Sequence, residues 1–186
     1  MEKFITKYVS QLIELLNNID KKAIQEIVNA LDKTVENKSK IYIIGNGGSS
    51  STASHMSNDL GVGLKLRNVR NFNVESLGDN SAVCTAIAND TGYENIFYTQ
   101  IQNKITKDDV LISISCSGNS QNIIKATNYA KSIGTTIIGV TGFEGGELKV
   151  LSDINFHIQT KKGEYGLVED MHMILDHVIF SHYLSA

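Results

Sequence analysis

The chain contains no proline, no tryptophan and only two cysteines in 186 residues. Proline averages about 5% of ordinary proteins, and its absence rules out a stiff proline-rich linker, so the sequence reads as one compact unit. Cys84 and Cys116 are too few for a disulfide framework and form no CxxC pair, which excludes a zinc ribbon or a dithiol redox centre. No window approaches the ~18 consecutive apolar residues of a membrane span. The opening MEKFITKYVSQL carries charge where a secretory leader would have its apolar core, so a reduced cytoplasmic setting is expected. Lys and Arg number 17 against 20 Asp and Glu, a net charge of −3 with no long run of either sign. That excludes a basic nucleic-acid groove or membrane-surface patch as the main function. An anionic ligand would have to be held by backbone amides and hydroxyls.

Hydrophobic spacing supplies the architecture. Phe4, Tyr8, Leu12, Leu15 and Leu16 recur at helical intervals, as do Ile24, Ile27, Val28, Leu31 and Val35, with Asp20 placed to cap the second helix. Residues 1–37 therefore read as a helical hairpin. From residue 38 the rhythm changes to short apolar runs at Ile41–Gly45, Phe72–Ser76, Asp109–Ser115, Thr136–Thr141 and Ile154–Ile158. Helix-like stretches at Ser49–Leu64, Asp79–Asp90, Asn119–Ile133 and Tyr165–Leu184 separate them. Continuous Val/Ile runs alternating with helices predict a parallel sheet covered on both faces. The expectation is a single α/β domain over 1–186, a five-stranded parallel sheet flanked by helices behind an N-terminal helical hairpin.

Two loops stand where such sheets collect ligands, at the carboxyl ends of strands. GNGGSSSTASH, Gly45–His55, follows the first strand, and its glycines allow close backbone approach at a helix N-terminus. It matches neither a dinucleotide fingerprint, which needs glycine at Ser50, nor a P-loop, which needs Gly-Lys-Ser/Thr, so no nucleotide cofactor is expected. SCSGNS, Ser115–Ser120, follows the third run and can aim the hydroxyls of Ser115, Ser117 and Ser120 at one anion. Each loop alone is an ordinary turn; together they favour a sugar-phosphate pocket.

His55 and Asp59 lie one turn apart on the helix after the first loop, and such a pair can bind a metal or position a base. Asn89 and Asp90 close another helix-like stretch. In VEDMHMILDHVI, Val168–Ile179, helical spacing places Glu169, Asp170, His172, Asp176 and His177 on one arc. His172 and Asp176 are expected to be a solvated i,i+4 pair on that polar face. Met173 interrupts the arc and suggests that a partner chain covers part of it.

This combination of GNGGSS, His55, Asp59, Asn89-Asp90, SCSGNS and a terminal helix with Glu169 and His177 resembles the bacterial phosphoheptose isomerases of the SIS (sugar isomerase) domain family. The resemblance runs from about residue 2 to about 182. It implies an SIS-type three-layer sandwich and conversion of sedoheptulose 7-phosphate to D-glycero-D-manno-heptose 7-phosphate for surface-polysaccharide heptose. It also implies a cytoplasmic homotetramer with active sites between subunits, and one divalent metal, zinc, per site. Residue by residue, it implies substrate contacts from Asn46, Gly47, Gly48, Ser49, Asp59, Asn89, Asp90, Ser115, Cys116, Ser117, Ser120 and Glu169. The implied metal ligands are His55, Asp59, Glu169 and His177. Asp59 stands where the family has glutamate, Glu169 where it has glutamine, and Cys116 in the middle of its Ser-Thr-Ser. Gly63 and Gly166-Leu167 stand where it has charged residues, which leaves the sugar chain open.

Aldose–ketose exchange needs a base to take a proton beside the carbonyl and an acid to return one to the neighbouring carbon. Asp59 or Glu169 is expected as base with His177 as its acid/base partner. Two further readings stand beside this one: an isomerase of another ketose phosphate, and a non-catalytic SIS adaptor resembling replication-initiator-associating proteins. The retained histidines and acids favour an enzyme.

Overall fold

The computed structural model describes residues 1–185. Two helices, α1 (Glu2–Asn17) and α2 (Lys21–Glu36), form the expected hairpin, and the Asp20 side chain caps α2 by accepting from the Ala23 N–H at 2.9 Å. The rest alternates strand and helix: β1 (Lys40–Gly45), α3 (Gly48–Asn58), α4 (Leu64–Leu66), β2 (Asn73–Ser76), α5 (Ser81–Thr91), α6 (Tyr98–Ile101), β3 (Val110–Ser115), α7 (Gln121–Ile133), β4 (Thr136–Gly142), α8 (Gly146–Leu151), β5 (Ile154–Ile158) and α9 (Tyr165–Ser185). All five strands are parallel, in the order β2-β1-β3-β4-β5. A 3₁₀ turn at Tyr93–Asn95 precedes α6.

Alternation along the strands divides the core. Ile41 and Ile43 of β1 pack with Ile112 of β3 against α2, α3 and α9, while Tyr42 and Ile44 pack with Leu111 against α6, α7 and α8. Nearly every β1 and β3 residue is buried, as a sheet covered on both faces requires. Asp109 precedes β3 rather than starting it. Its buried carboxylate accepts from the Lys40 N–H at 2.7 Å and from the Thr106 N–H at 2.7 Å, tying the entrances of β1 and β3 together.

The segment after the first loop is not one regular α-helix. Between α3 and α4 lies a π turn, Asp59–Gly63, closed by the Leu64 N–H donating to the Asp59 carbonyl. The wider turn sends both Leu60 and Leu64 into the core.

Helix α9 overturns one expectation. His172 and Asp176 are not solvated: they are 1% and 0% exposed. Val168, Met171, His172, Leu175, Asp176 and Ile179 form a single buried stripe, because α9 is covered by α1, α2 and α3 as well as by β4. A stripe that wide takes in flanking polar positions. Met173, by contrast, is half-buried.

Candidate active site

β1 and β3 are sheet neighbours, and the chain leaves them toward opposite edges. Their carboxyl ends therefore bound a crevice into which both expected loops open.

The serine loop is a built turn. The Ser115 hydroxyl accepts from the Gly118 N–H at 3.1 Å, and the Ser117 hydroxyl accepts from the Asn119 N–H at 3.3 Å. Both hydroxyls keep a proton to donate. Ser120 sits at the N-cap of α7 without using its side chain there, leaving that hydroxyl free for a ligand. Gly118 has φ +65, and a Cβ on it would overlap the Gly145 carbonyl group, 2.6 Å from its carbon, so only glycine fits. These residues line a cavity of about 180 Å³ together with Asn46, Ser49, Cys116, Tyr165 and Glu169. Burial pushes the Cys116 thiol up to about 11, and the negative charge of Glu169 adds to the effect. Cys116 is thus a neutral packing group, not a nucleophile.

The glycine loop shapes the other wall. Gly47 has φ +55. A Cβ on Gly48 would lie 2.5 Å from Cδ of Glu169, so the glycine is what lets that carboxylate sit over the first turn of α3. The positive end of the helix dipole favours an anion there. Asn46 is tied to its neighbours through its carbonyl and one N–H, and its second amide N–H is unused. It exchanges hydrogen bonds with the buried Asn122 (2.9 and 2.8 Å) and accepts from the Tyr93 hydroxyl at 2.9 Å. It holds the loop in place. Neither Asn122 nor Tyr93 carried any signal in the sequence, since an isolated asparagine in a first helical turn is commonplace.

A second group lies further along the same two helices. His55 Nε2 is 3.2 Å from His177 Nε2, 3.5 Å from Asp59 Oδ2 and 3.8 Å from Asp176 Oδ2. Ligand atoms of all four residues fall within 4.8 Å of one another. A tetrahedral shell with ligands at about 2.0–2.1 Å has edges near 3.4 Å, so these spacings fit one divalent ion. The chemistry fits as well. Both carboxylate oxygens of Asp176 are buried without a hydrogen-bond partner, and a cation supplies what they lack. Without one, desolvation pushes the Asp176 carboxyl up to about 7, and the charge on Asp59 pushes the same way.

Three of the four expected metal ligands, His55, Asp59 and His177, are thus brought together, and Glu169 is not. Eight residues of α9 separate it from His177, about 12 Å of helical rise, which is too far for both to bind one ion within a chain. Asp176 is the fourth member of the group. Helical spacing set Asp176 on the polar arc of α9 with His172, and the burial of both emerges only from the packing around the helix. Asn89 and Asp90 are exposed at the end of α5, hydrogen-bonded to each other at 2.8 Å, and line neither the cavity nor the metal group.

Two of the departures from the family pattern, Gly63 and Gly166, sit where neighbours pack closely. A Cβ on Gly63 would come within 3.0 Å of the Phe180 ring, and one on Gly166 within 2.9 Å of the Tyr8 hydroxyl. Tyr8 in turn donates to Asp170 at 2.6 Å and fastens α1 to α9. A larger groove of about 560 Å³, lined by residues of α1 and of the β5–α9 connection, contains neither loop nor metal group.

Comparison with known proteins agrees with this fold. The model of the SIS domain matches residues 6–142. A phosphoheptose isomerase of Helicobacter pylori strain P12 is 38% identical over 156 residues, 84% of this chain and 80% of that one. One from Aliarcobacter butzleri is 33% identical over 178 residues, 96% of this chain and 88% of its own. The structure of a phosphoheptose isomerase from Neisseria gonorrhoeae covers 100% of this chain and 99% of its own with a TM-score of 0.88 at 24% identity, which shows a shared fold. With a loop pair, a fold and full-length relatives in agreement, the chain belongs to the SIS domain family and, within it, to the phosphoheptose isomerases, a family of aldose–ketose isomerases.

Proposed function

We propose that the protein interconverts sedoheptulose 7-phosphate and D-glycero-D-manno-heptose 7-phosphate in the cytoplasm, supplying heptose for surface polysaccharide. The observation that carries this reading is the position of Glu169. Its carboxylate shares a cavity with three loop serines and lies on the same helix pair as the histidine–aspartate group. The serine hydroxyls and the amides at the start of α7 hold the phosphate, which requires no lysine or arginine. Glu169 is the base: it takes a proton from C1 of the ketose, and the enediol is reprotonated at C2. The net change moves one proton from C1 to C2 and one from O1 to O2. His55, Asp59 and His177 hold a divalent ion, zinc by resemblance, which when bound polarises the carbonyl as a Lewis acid.

The working unit in this proposal is a homotetramer with sites between subunits. Helix α1 has no buried residue, and Phe4, Ile5, Val9 and Ile13 are 47–64% exposed, a stripe of the kind that a second copy covers. An adjoining subunit also brings Asn89 and Asp90 to the sugar.

The test incubates purified protein with sedoheptulose 7-phosphate and follows the aldose product, before and after chelation and with unphosphorylated sedoheptulose as control. Turnover of the phosphorylated sugar alone is expected. Turnover of fructose 6-phosphate but not of the heptulose would assign a different ketose phosphate. No turnover of any ketose phosphate would leave the adaptor reading.

A further inference from the structure

We propose that Asp176 is itself a metal ligand, so that the ion is held by two imidazoles and two carboxylates of a single chain. This rests on the metal reading above and alters its ligand set. Asp176 is 0% exposed, and neither carboxylate oxygen has a hydrogen-bond partner. Removing a carboxylate from water without compensation costs several kcal/mol, and proteins seldom retain such a group unless a cation or a set of donors repays the loss. No lysine or arginine of the described residues forms an ion pair with it. What faces it is Asp59, another anion, and His55 at 3.8 Å, beyond hydrogen-bond reach. An ion among the four residues supplies the Asp176 carboxylate with the partner it lacks and takes the imidazole nitrogens and Asp59 as its other ligands. Asp59 comes from the start of the π turn and Asp176 from the buried stripe of α9, so the pocket is closed by backbone that the core already fixes.

Two consequences separate this from a merely structural aspartate. Two carboxylates neutralise a divalent ion within the shell, and they shift the site toward harder ions such as manganese than a set with one carboxylate would. Glu169, released from the shell, stays free for the substrate.

The experiment measures equilibrium binding of Zn²⁺, Mn²⁺ and Co²⁺ by competition with a chromophoric chelator, with the Co²⁺ absorption spectrum as a report on the shell. The wild type is compared with Asp176→Asn, Asp176→Leu and Glu169→Gln, and thermal unfolding is recorded in chelator. Changes one shell away from a metal typically weaken binding ~10–100-fold, so loss of a ligand should exceed that range. Asp176→Asn and Asp176→Leu should therefore lose more than ~100-fold in affinity and alter the cobalt spectrum, while Glu169→Gln does neither. In chelator both Asp176 variants should melt at or above the wild-type temperature, since each removes an unpaired buried charge. Wild-type protein that binds metal while Asp176→Asn binds equally well overturns the inference alone. Loss of affinity in Glu169→Gln with none in Asp176→Asn overturns it in favour of the other ligand set. Wild-type protein that binds none of the three ions overturns the metal reading itself.

Discussion

Replacing Gly48 by alanine isolates the role of Glu169 without touching its chemistry. Gly48 opens α3 with an ordinary negative φ, so the alanine backbone is unstrained. A helical Gly→Ala change gains up to ~1 kcal/mol, less in a first turn. Against this, the new methyl would lie 2.5 Å from Cδ of Glu169 and must displace it. The carboxylate is the far end of a flexible side chain, and an off-rotamer turn costs ~0.5–1.5 kcal/mol. These terms oppose each other and are of similar size. The net change in stability is thus within about 1 kcal/mol, or a melting shift of no more than ~4 °C for a chain of this length. Activity is another matter. Misplacing a reacting group by about 1 Å can lower a rate ~100-fold, and removing a general base lowers it ~10²–10⁴-fold. The expected result is a kcat reduced ~100-fold in Gly48→Ala, and in Gly48→Ala/Glu169→Gln little further loss beyond Glu169→Gln alone, because both changes disable the same group. Steady-state kinetics on the proposed heptulose phosphate and a melting curve suffice. A folded Gly48→Ala protein with kcat within threefold of wild type would refute the assignment of Glu169.

Gly118→Ala should act on the fold instead, because its neighbour is the fixed backbone of Gly145. With φ at +65 as well, a loss of roughly 2–3 kcal/mol and a melting temperature lower by ~5–10 °C are expected, and an unchanged melting curve would contradict the contact. In chelator, two buried groups of α9 should drive stability in opposite directions with pH. Burial holds His172 down to about 4, so its contribution is complete above ~6.5 and is lost as pH falls toward 4. Asp176, pushed up to about 7, contributes fully below ~3.8, and that contribution is lost as pH rises to 7. The spans are worth roughly 3–4 kcal/mol for His172 and roughly 4–5 kcal/mol for Asp176. Chemical denaturation should show Asp176→Asn gaining stability from pH 4 to 6.5 and His172→Gln losing it; parallel slopes would contradict both environments.

Much of this architecture was legible because the signals were periodic. All five strands lie within a residue or two of their apolar runs, since a strand buried on both faces leaves an unbroken mark in the sequence. The short helices α6 and α8 left none, for four and six residues carry too little periodicity to register. The two loops were found by glycine and serine content, yet the structure gives Asn46 a supporting task that only its distant partners Asn122 and Tyr93 reveal. The metal group illustrates the limit best. Helical spacing put His55 beside Asp59, but could not say that α9 is covered on most of its circumference. Asp176 was therefore assigned to water when it belongs to the core. Glu169 and His177 lie on one arc of α9, about 80° apart, but their separation along its axis only counts once a common ligand must be reached.

The π turn at Asp59–Gly63 also bears on how this chain tolerates changes in length. A π turn is a helix carrying one residue more than its hydrogen bonding needs. Deleting exposed Val62, 49% accessible, would let the ladder close in the ordinary α pattern. Leu64 would then follow Leu60 at a spacing of three instead of four, still on the buried side. His55 and Asp59 lie upstream and would keep their register. A deletion within α3 between His55 and Asp59 would instead turn one of these residues about 100° from the other, so shortening is tolerated after the pair and not inside it.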